Sequence, residues 1–460
     1  MVGLTLFQGG KNVPNRPDGD AGPLKTLVVG SCARQDRPAP VWDAMAQAGP
    51  DGVILLGDNI YGDSRDPAVL RAKYEKLLNN QGFARLRQAR LVMATWDDHD
   101  YGENDAGSEY PAKDQSKKLF LEFLGKGEAD PRVSQPGIFE STIVGPVGKR
   151  VQVILLDTRW FRTPLAKKEG RKGEYVPLED PNSTFLGQGQ WAWLEKELKR
   201  EAEVRLIGSS IQIVPEEHPF EKWANFPAER ERFLALVERT GANGVILLSG
   251  DRHLGEISCL QPRGGSGNYP LFELTASGIN QGNQKFRLPE TNRHRVASMA
   301  WGNHFGVVRI DWSKEDPQIR LELRDEVGET VVSSRFSLSN IRRKGPPSAP
   351  VLLKEGEIGP SMVAAKVGQD VRLRFRVAST GKSRDGARVF LNTHENFRDR
   401  ENVTVVLEME ALKKELSDQG IEDPTVALSG RELLASGKVQ LFRDNPQVVI
   451  RKMENLVVGK

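Results

Sequence analysis

The sequence predicts an α/β protein in which a buried, largely parallel sheet alternates with helices, followed by antiparallel strands and then a separate small all-β domain. Three observations carry this. Four apolar runs, LVVGSC (27–32), GVILLGDNIY (52–61), LVMATWDDHDYGEND (91–105) and GVILLSGDRH (244–253), open on near-continuous Val, Ile and Leu, the pattern of a strand covered on both faces. Amphipathic stretches such as AVLRAKYEKLLNN (68–80) and GQGQWAWLEKELKREAE (187–203) fall between them, and such alternation points to α/β layers. Beyond His253 the texture changes to strand-like segments without helices.

Taken in order, residues 1–24 read as a flexible tail: the start is apolar but short, with no basic n-region and no long h-region, so it makes no convincing signal peptide. The α/β pattern begins at Lys25 and continues through RVQVILLDTRWF (150–161) and VRLIGSSIQIV (204–214). Between these, 162–185 is rich in Lys, Gly, Glu and Pro and reads as a long surface loop beside the site. GEISCL, YPLFELTAS, FGVVRIDW, QIRLELRDE and VVSSRFSL should pair antiparallel and close a second sheet against the first. IRRKGPPSAP (341–350) is a Pro-rich, basic linker. Over 351–460, three strands, a helix (ALKKELSDQG, 411–420) and further strands follow the order of an OB-type Greek-key barrel.

With 65 basic against 62 acidic residues the chain is nearly neutral, so no whole-chain field argues for nucleic acid or membrane binding. No stretch approaches the ~18 apolar residues of a membrane span. The two cysteines, Cys32 and Cys259, cannot build a disulfide framework.

Ligands of open α/β sheets gather at the carboxyl ends of strands. Here those ends carry Cys32, Asp58, Tyr61, Asp97, Asp98, His99, Asp251 and His253. One Asp after a strand is ordinarily a cap or turn residue, and one Cys a small buried hydrophobe. Four such ends together argue instead for a binuclear hydrolytic site, which needs a bridging carboxylate, donors of differing hardness and open positions. Asp58 is the bridging candidate. Cys32 is a soft donor suited to iron or zinc, and a phenol such as Tyr61 ionises only beside a strong Lewis acid, which hints at ferric iron. Asp97, Asp98 and Asp251 are hard donors suited to calcium or magnesium. The ligand chemistry therefore asks for a mixed site, with His253 closing the transition-metal set.

These motifs resemble those of the alkaline phosphatase D (PhoD-like) metallophosphatases, distant relatives of the purple acid phosphatases. GSC (30–32), GDNIY (57–61), TWDDHDYGEND (95–105), LDTRWFR (156–162), LGQGQWAWLEKEL (186–198), GSSIQ (208–212) and LSGDRHLGE (248–256) stand in the family's order, over about residues 25–340. In the wider superfold the metal motifs read GDxxD, GNHD/E and GHxH; Tyr61, Asp98 and Asp251 are the departures made by the PhoD-like branch. The resemblance implies a four-layer αββα sandwich over 25–340. It implies one Fe³⁺ and one or two Ca²⁺, other divalent metals being alternatives, with Cys32, Asp58, Tyr61 and His253 nearest the iron. Asp58, Asp98 and Asp251 would serve the second metal, and Asp97 and Asn104 are further ligand candidates.

The implied activity is hydrolysis of phosphomonoesters or phosphodiesters by metal-activated water. His99, followed by Asp100, resembles the His–Asp pair that protonates the leaving group. Because guanidinium binds phosphate bidentately, Arg159 is the first candidate for substrate contact, ahead of Arg162 and Arg34. A nuclease-like diesterase is the alternative, with the OB-like domain binding single strands through Phe375, Phe390, Phe397 and Phe442 and neighbouring arginines; a catalytically silent binding module is another. Family habit would place the protein in the periplasm or outside the cell.

Overall fold

The computed structural model describes residues 22–180, 182–262, 269–285, 289–299, 301–343, 353–354, 356–394, 397, 402–443 and 445–459. Most of the tail read over 1–24 and of the linker read over 341–350 lies outside them. The chain divides into two compact units, one running to Arg342 without Gln261–Tyr269, the other from Arg343 onward together with that segment.

The first unit begins with β1 (Thr26–Gly30), α1 (Val41–Gln47), β2 (Gly52–Leu56), α2 (Pro67–Leu78), α3 (Gln81–Leu86), β3 (Leu91–Thr95), the one-turn α4 (Asp98–Tyr101) and α5 (Lys113–Phe123). It continues through β4 (Glu140–Val144), β5 (Val151–Leu155), α6 (Gly187–Leu198), β6 (Val204–Gly208), α7 (Pro227–Thr240) and β7 (Val245–Ser249). Five strands follow: β8 (Gly255–Leu260), β9 (Leu271–Ala276), β10 (Arg295–Met299), β11 (His304–Asp311) and β12 (Gln318–Asp325), with β13 (Thr330–Ser337) after them. Local chemistry sets the helix ends. Asp66 caps α2 by accepting from the Ala68 amide with Pro67 in the first turn, and Gly241 stops α7 in the left-handed conformation at φ 66°.

Two mixed sheets result. In one, β1, β2 and β3 run parallel, and β11, β12 and β13 extend it antiparallel from the free side of β1. The other has the order β10-β8-β9-β7-β6-β5-β4, with β5, β6, β7 and β9 parallel. The strands after His253 therefore do not form a sheet of their own, contrary to the sequence expectation; three join each parallel core. A parallel core leaves an edge whose amides and carbonyls must be paired, and burial at that edge chooses the neighbour, a choice the composition of the added strand does not encode.

The sheets meet closely. A Cβ added to Gly208 would lie 2.5 Å from Leu155 Cδ2 and 2.9 Å from Leu56 Cδ2, which belong to different sheets, and the Phe272 and Phe336 rings stack with centroids 4.1 Å apart. Behind β1–β3 the helices bury Trp42, Tyr74, Phe83, Trp96, Phe120 and Phe123 as one apolar cluster.

The second unit contains β14 (Asp370–Arg376), β15 (Ser379–Lys382), β16 (Arg388–Asn392), β17 (Thr404–Glu408), α8 (Met409–Asp418), α9 (Pro424–Ala427), β18 (Glu432–Phe442), β19 (Asn445–Ile450) and β20 (Leu456–Val458). β14 and β15 are separated only by Val377 and Ala378 and pair with β18 and β16 respectively. From β16 the pairing passes to β17, then parallel to β19, and back to β18. Leu373, Phe375, Leu391, Val405, Leu433 and Ile450 fill its core.

Candidate metal centre

The carboxyl ends of β1, β2, β3 and β7 converge. Immediately past these strands the backbone turns sharply, and Cys32, Asp58, Asp251 and His253 all sit at positive φ, between 50° and 68°. Non-glycine residues hold that conformation only where surrounding structure over-determines it, which happens chiefly at functional sites. Gly57, at φ 95°, makes the approach of β2 to β3 possible: a Cβ there would lie 2.5 Å from both Cβ and N of Asp97.

The donors separate by softness. Atoms of Cys32, Asp58 and His253 lie within 4.8 Å of one another. Tyr61 joins them, its hydroxyl 2.8 Å from His253 Nε2. Cys32 Sγ is 3.4 Å from Asp58 Oδ2 and 3.1 Å from Ser277 Oγ. The hard carboxylates fall beside them in overlapping groups, the first shared with the imidazole of His99: Asp58, Asp98 and His99; Asp97, Asp98 and Asp251; and Asp98, Asp105 and Glu221. Asp58 belongs to both the soft and a hard group, the position a bridging carboxylate requires.

Electrostatics favour cations here. Burial first, then the charges of Cys32, Asp98, Asp97 and Asp100, pushes Asp58 well above the usual carboxylate range; Asp251 is raised in the same way by burial and by Asp97. Burial pushes the Cys32 thiol up to about 12. A thiol, a phenol and several carboxylates buried together cannot all ionise without positive charge among them. Asp97 Oδ2, moreover, is buried without a hydrogen-bond partner, and a cation would satisfy it. The residues present thus fit a pair of metal ions.

Three expectations need correction. Asp100 does not pair with His99: it is fully buried and accepts from the amides of Asp97 at 2.6 Å and Asn59 at 3.2 Å and from Asn59 Nδ2 at 2.5 Å. On the single turn of α4, adjacent residues cannot face the same way. His99 Nδ1 instead lies 2.6 Å from Asp63 Oδ1. Arg159 is 0% exposed, with Nε 2.7 Å from Asp97 Oδ1 and Nη1 2.8 Å from Glu221 Oε2, so it positions carboxylates and does not reach substrate. Arg162 is equally buried, 3.1 Å from Glu221 and donating to the carbonyls of Asp105 and Thr163. Of the three arginines only Arg34 is half-buried, its guanidinium 5.2 Å from the centre of the Tyr61 ring.

Asn104 is exposed at the rim, with Nδ2 2.7 Å from Asp105 Oδ2. Several site residues carry no sequence signal strong enough to find them. Glu221 sits in a loop, and Ser277 comes from the segment after β9 yet accepts from the His253 amide at 2.7 Å. Asp63, Asp105 and Arg252 were within reach, since they stand inside or beside GDNIY, TWDDHDYGEND and GDRH. The cavity over the donors encloses about 320 Å³ and is lined by, among others, Asp98, His99, Glu221, Arg252 and His253.

His99 is drawn two ways. Burial lowers it, but the carboxylates of Asp98 and Asp63 outweigh burial and push it up to about 9. Its side chain is 18% exposed, and its ring stands 4.1 Å, centroid to centroid, from Tyr61.

Comparison with known proteins converges on one group. The family model of PhoD-like phosphatases matches residues 27–321. Alkaline phosphatase D of Bacillus subtilis (strain 168) is 27% identical over 313 residues, which is 60% of this chain and 51% of that protein; the chain thus spans about half the length of this curated relative. The solved structure of PhoD aligns with a TM-score of 0.57 at 18% identity, over 73% of this chain and 74% of that one, a likeness of fold.

Proposed function

Because the chain belongs to the PhoD-like phosphatase family, we propose that it hydrolyses phosphoesters in a metal-dependent reaction at the centre formed by β1, β2, β3 and β7. One observation carries the reading: soft and hard donors adjoin in a single cavity with Asp58 common to both. In the mixed-metal form, one Fe³⁺ would be held by Cys32, Asp58, Tyr61 and His253, and one or two Ca²⁺ by Asp58, Asp97, Asp98 and Asp251, with Asp105, Glu221 and Asn104 at the outer side. Such ions, when bound, lower the pKa of water and neutralise phosphoryl oxygens.

The chain's own residues supply the rest. His99, held by Asp63 and lining the cavity, is placed to donate a proton to the leaving oxygen. Arg34, half-buried with its guanidinium 5.2 Å from the Tyr61 ring centre, would be the arginine of the three to meet the phosphoryl group. Arg159, by pairing with Asp97 and Glu221, holds two carboxylates in place. The family likeness and the face-to-face contacts of the sheets support a four-layer αββα arrangement for this unit. For the second unit, the returning strand path with α8 between β17 and β18 supports an OB-like barrel.

The deciding measurement is hydrolysis of a chromogenic phosphodiester and its monoester with iron and calcium supplied and then chelated. Chelator-sensitive turnover is expected, with preference for the diester pointing to a phosphodiesterase; no turnover of either substrate by fully metallated protein would overturn the reading. A finer test concerns Asp63. Asp63→Asn should lower kcat on an alkyl phosphoester on the order of 10²-fold, the scale of general-acid assistance, while largely sparing a p-nitrophenyl ester whose leaving group needs no proton. Equal losses on both substrates would reduce Asp63 to a structural role.

A nuclease-like second reading rests on Phe442 of β18, 59% exposed with the Arg443 guanidinium 5.5 Å from its ring centre, a pair able to stack on bases. Phe375 is buried and cannot take part. Filter binding of the full chain should then show salt-sensitive retention of single strands, weakened by Phe442→Ala; retention indifferent to both salt and the substitution would exclude it.

A further inference from the structure

The turn after β2 carries a functional side chain on each side of Gly62. Before it, Tyr61 places its hydroxyl 2.8 Å from His253 Nε2. After it, Asp63 places Oδ1 2.6 Å from His99 Nδ1. The turn has little freedom of its own. Asp63 stands at φ 46°, in the left-handed region that a non-glycine residue keeps only where its surroundings hold it. A Cβ on Gly62 would run into Leu70 of α2 and come within 2.7 Å of the His99 carbonyl oxygen. That carbonyl accepts from the amides of Gly62 at 3.0 Å and Asp63 at 3.3 Å.

From the opposite side one ammonium closes the clamp. Lys73, half-buried on α2, has Nζ 2.7 Å from the carbonyl oxygens of both Tyr61 and Gly62, so it fixes the two peptide groups that join Tyr61 to Gly62 and Gly62 to Asp63. It forms no ion pair with a carboxylate among the described residues, Asp36 being taken by Lys76 at 2.6 Å. Gln35 adds a lesser hold on Tyr61 alone, accepting from its amide at 2.8 Å and donating to its carbonyl at 3.5 Å. Hydrogen bonds from a charged donor are about twice as strong as neutral ones, and a donor group or a base displaced by about 1 Å loses much of its effect. We propose that Lys73 is a positioning residue for both functions of this turn: it sets Tyr61 towards the soft donors and Asp63 towards His99, so that binding of the soft ion and protonation of the leaving oxygen both depend on an amine that does not line the cavity. This deepens the phosphoester reading and rests on it.

The test compares Lys73→Met and Lys73→Arg with the unaltered full chain in three measurements. In metal-free Lys73→Met, the Gly62 and Asp63 amides should exchange hydrogen about tenfold faster or more, while the amides of β1, β2 and β3 keep their protection. Iron affinity, read by competition with a chelator, should fall about 10–100-fold, the scale for groups that orient metal ligands. With metal saturating, kcat on an alkyl phosphoester should fall about tenfold or more and on a p-nitrophenyl ester stay within about twofold. Lys73→Arg, whose guanidinium can still donate to two carbonyls, should recover most of each loss. Unchanged exchange in Lys73→Met overturns the proposal, as does faster exchange that leaves either iron affinity or the contrast between the two esters as in the unaltered protein. Should Lys73→Met fail to fold, Lys73→Gln must show the same three changes, and their absence counts against the proposal. Exchange is read without metal or turnover, so the two readings fail separately: unchanged exchange removes only the positioning role, whereas no hydrolysis of either ester by the unaltered, metal-loaded protein removes the phosphoester reading.

Discussion

Asp58→Asn is expected to remove turnover and deplete both metals while making the metal-free protein more stable. Asp58 is the carboxylate common to the soft and hard donor groups, so its neutralisation weakens both. Loss of residues that merely orient metal ligands already costs about 10–100-fold; a shared ligand should cost more than about 100-fold in kcat/KM. The stability effect has the opposite sign for the same reason. Burial and four neighbouring acidic groups disfavour the ionised Asp58 side chain, and an amide of equal shape carries no charge to desolvate. Metal analysis and thermal melting with and without added ions check both arms: Tm should rise without metal, and the increment that metal confers should shrink. Full activity with normal metal content would sink the assignment.

Arg159→Met is expected to give the largest loss of stability of any site substitution. The guanidinium is wholly buried between Asp97 and Glu221, themselves 0% and 1% exposed at their side chains. Removing it leaves Asp97 without its counter-ion and Glu221 with Arg162 alone, and breaking such a buried pair costs about 3–5 kcal/mol, on the order of 10 °C in Tm for a unit of this size. Adding Asp97→Asn should recover part of the loss, since the stranded charge is removed. A phosphate-contacting arginine would behave differently, raising KM with little change in Tm. That second pattern would restore the substrate role which the packing denies.

Much of the chemistry was legible in the residues. The strand runs and the donor types at four strand ends follow from local rules: continuous apolar sequence marks a buried strand, and its carboxyl end is where polar side chains can reach a crevice. The same rules named Cys32, Asp58, Tyr61, Asp98, Asp251 and His253, which the fold brings together. They misread His99–Asp100 because adjacency along the chain was taken for adjacency in space. They misread Arg159 because residue type says what a guanidinium can bind, and only burial says whether anything can reach it.

By itself, then, the sequence determined the α/β character of the first unit, the strand ends that carry donors and the softness of each donor. The tertiary structure alone decided which parallel core each late strand would join, that Asp63 holds His99, that Glu221 anchors Arg159 and Arg162, and that Ser277 reaches back to the His253 amide. The division has a physical cause. Propensity and donor chemistry belong to single residues and their near neighbours, whereas the partner of a buried charge or an open sheet edge is selected by the free energy of the whole packed assembly, over separations no local pattern records.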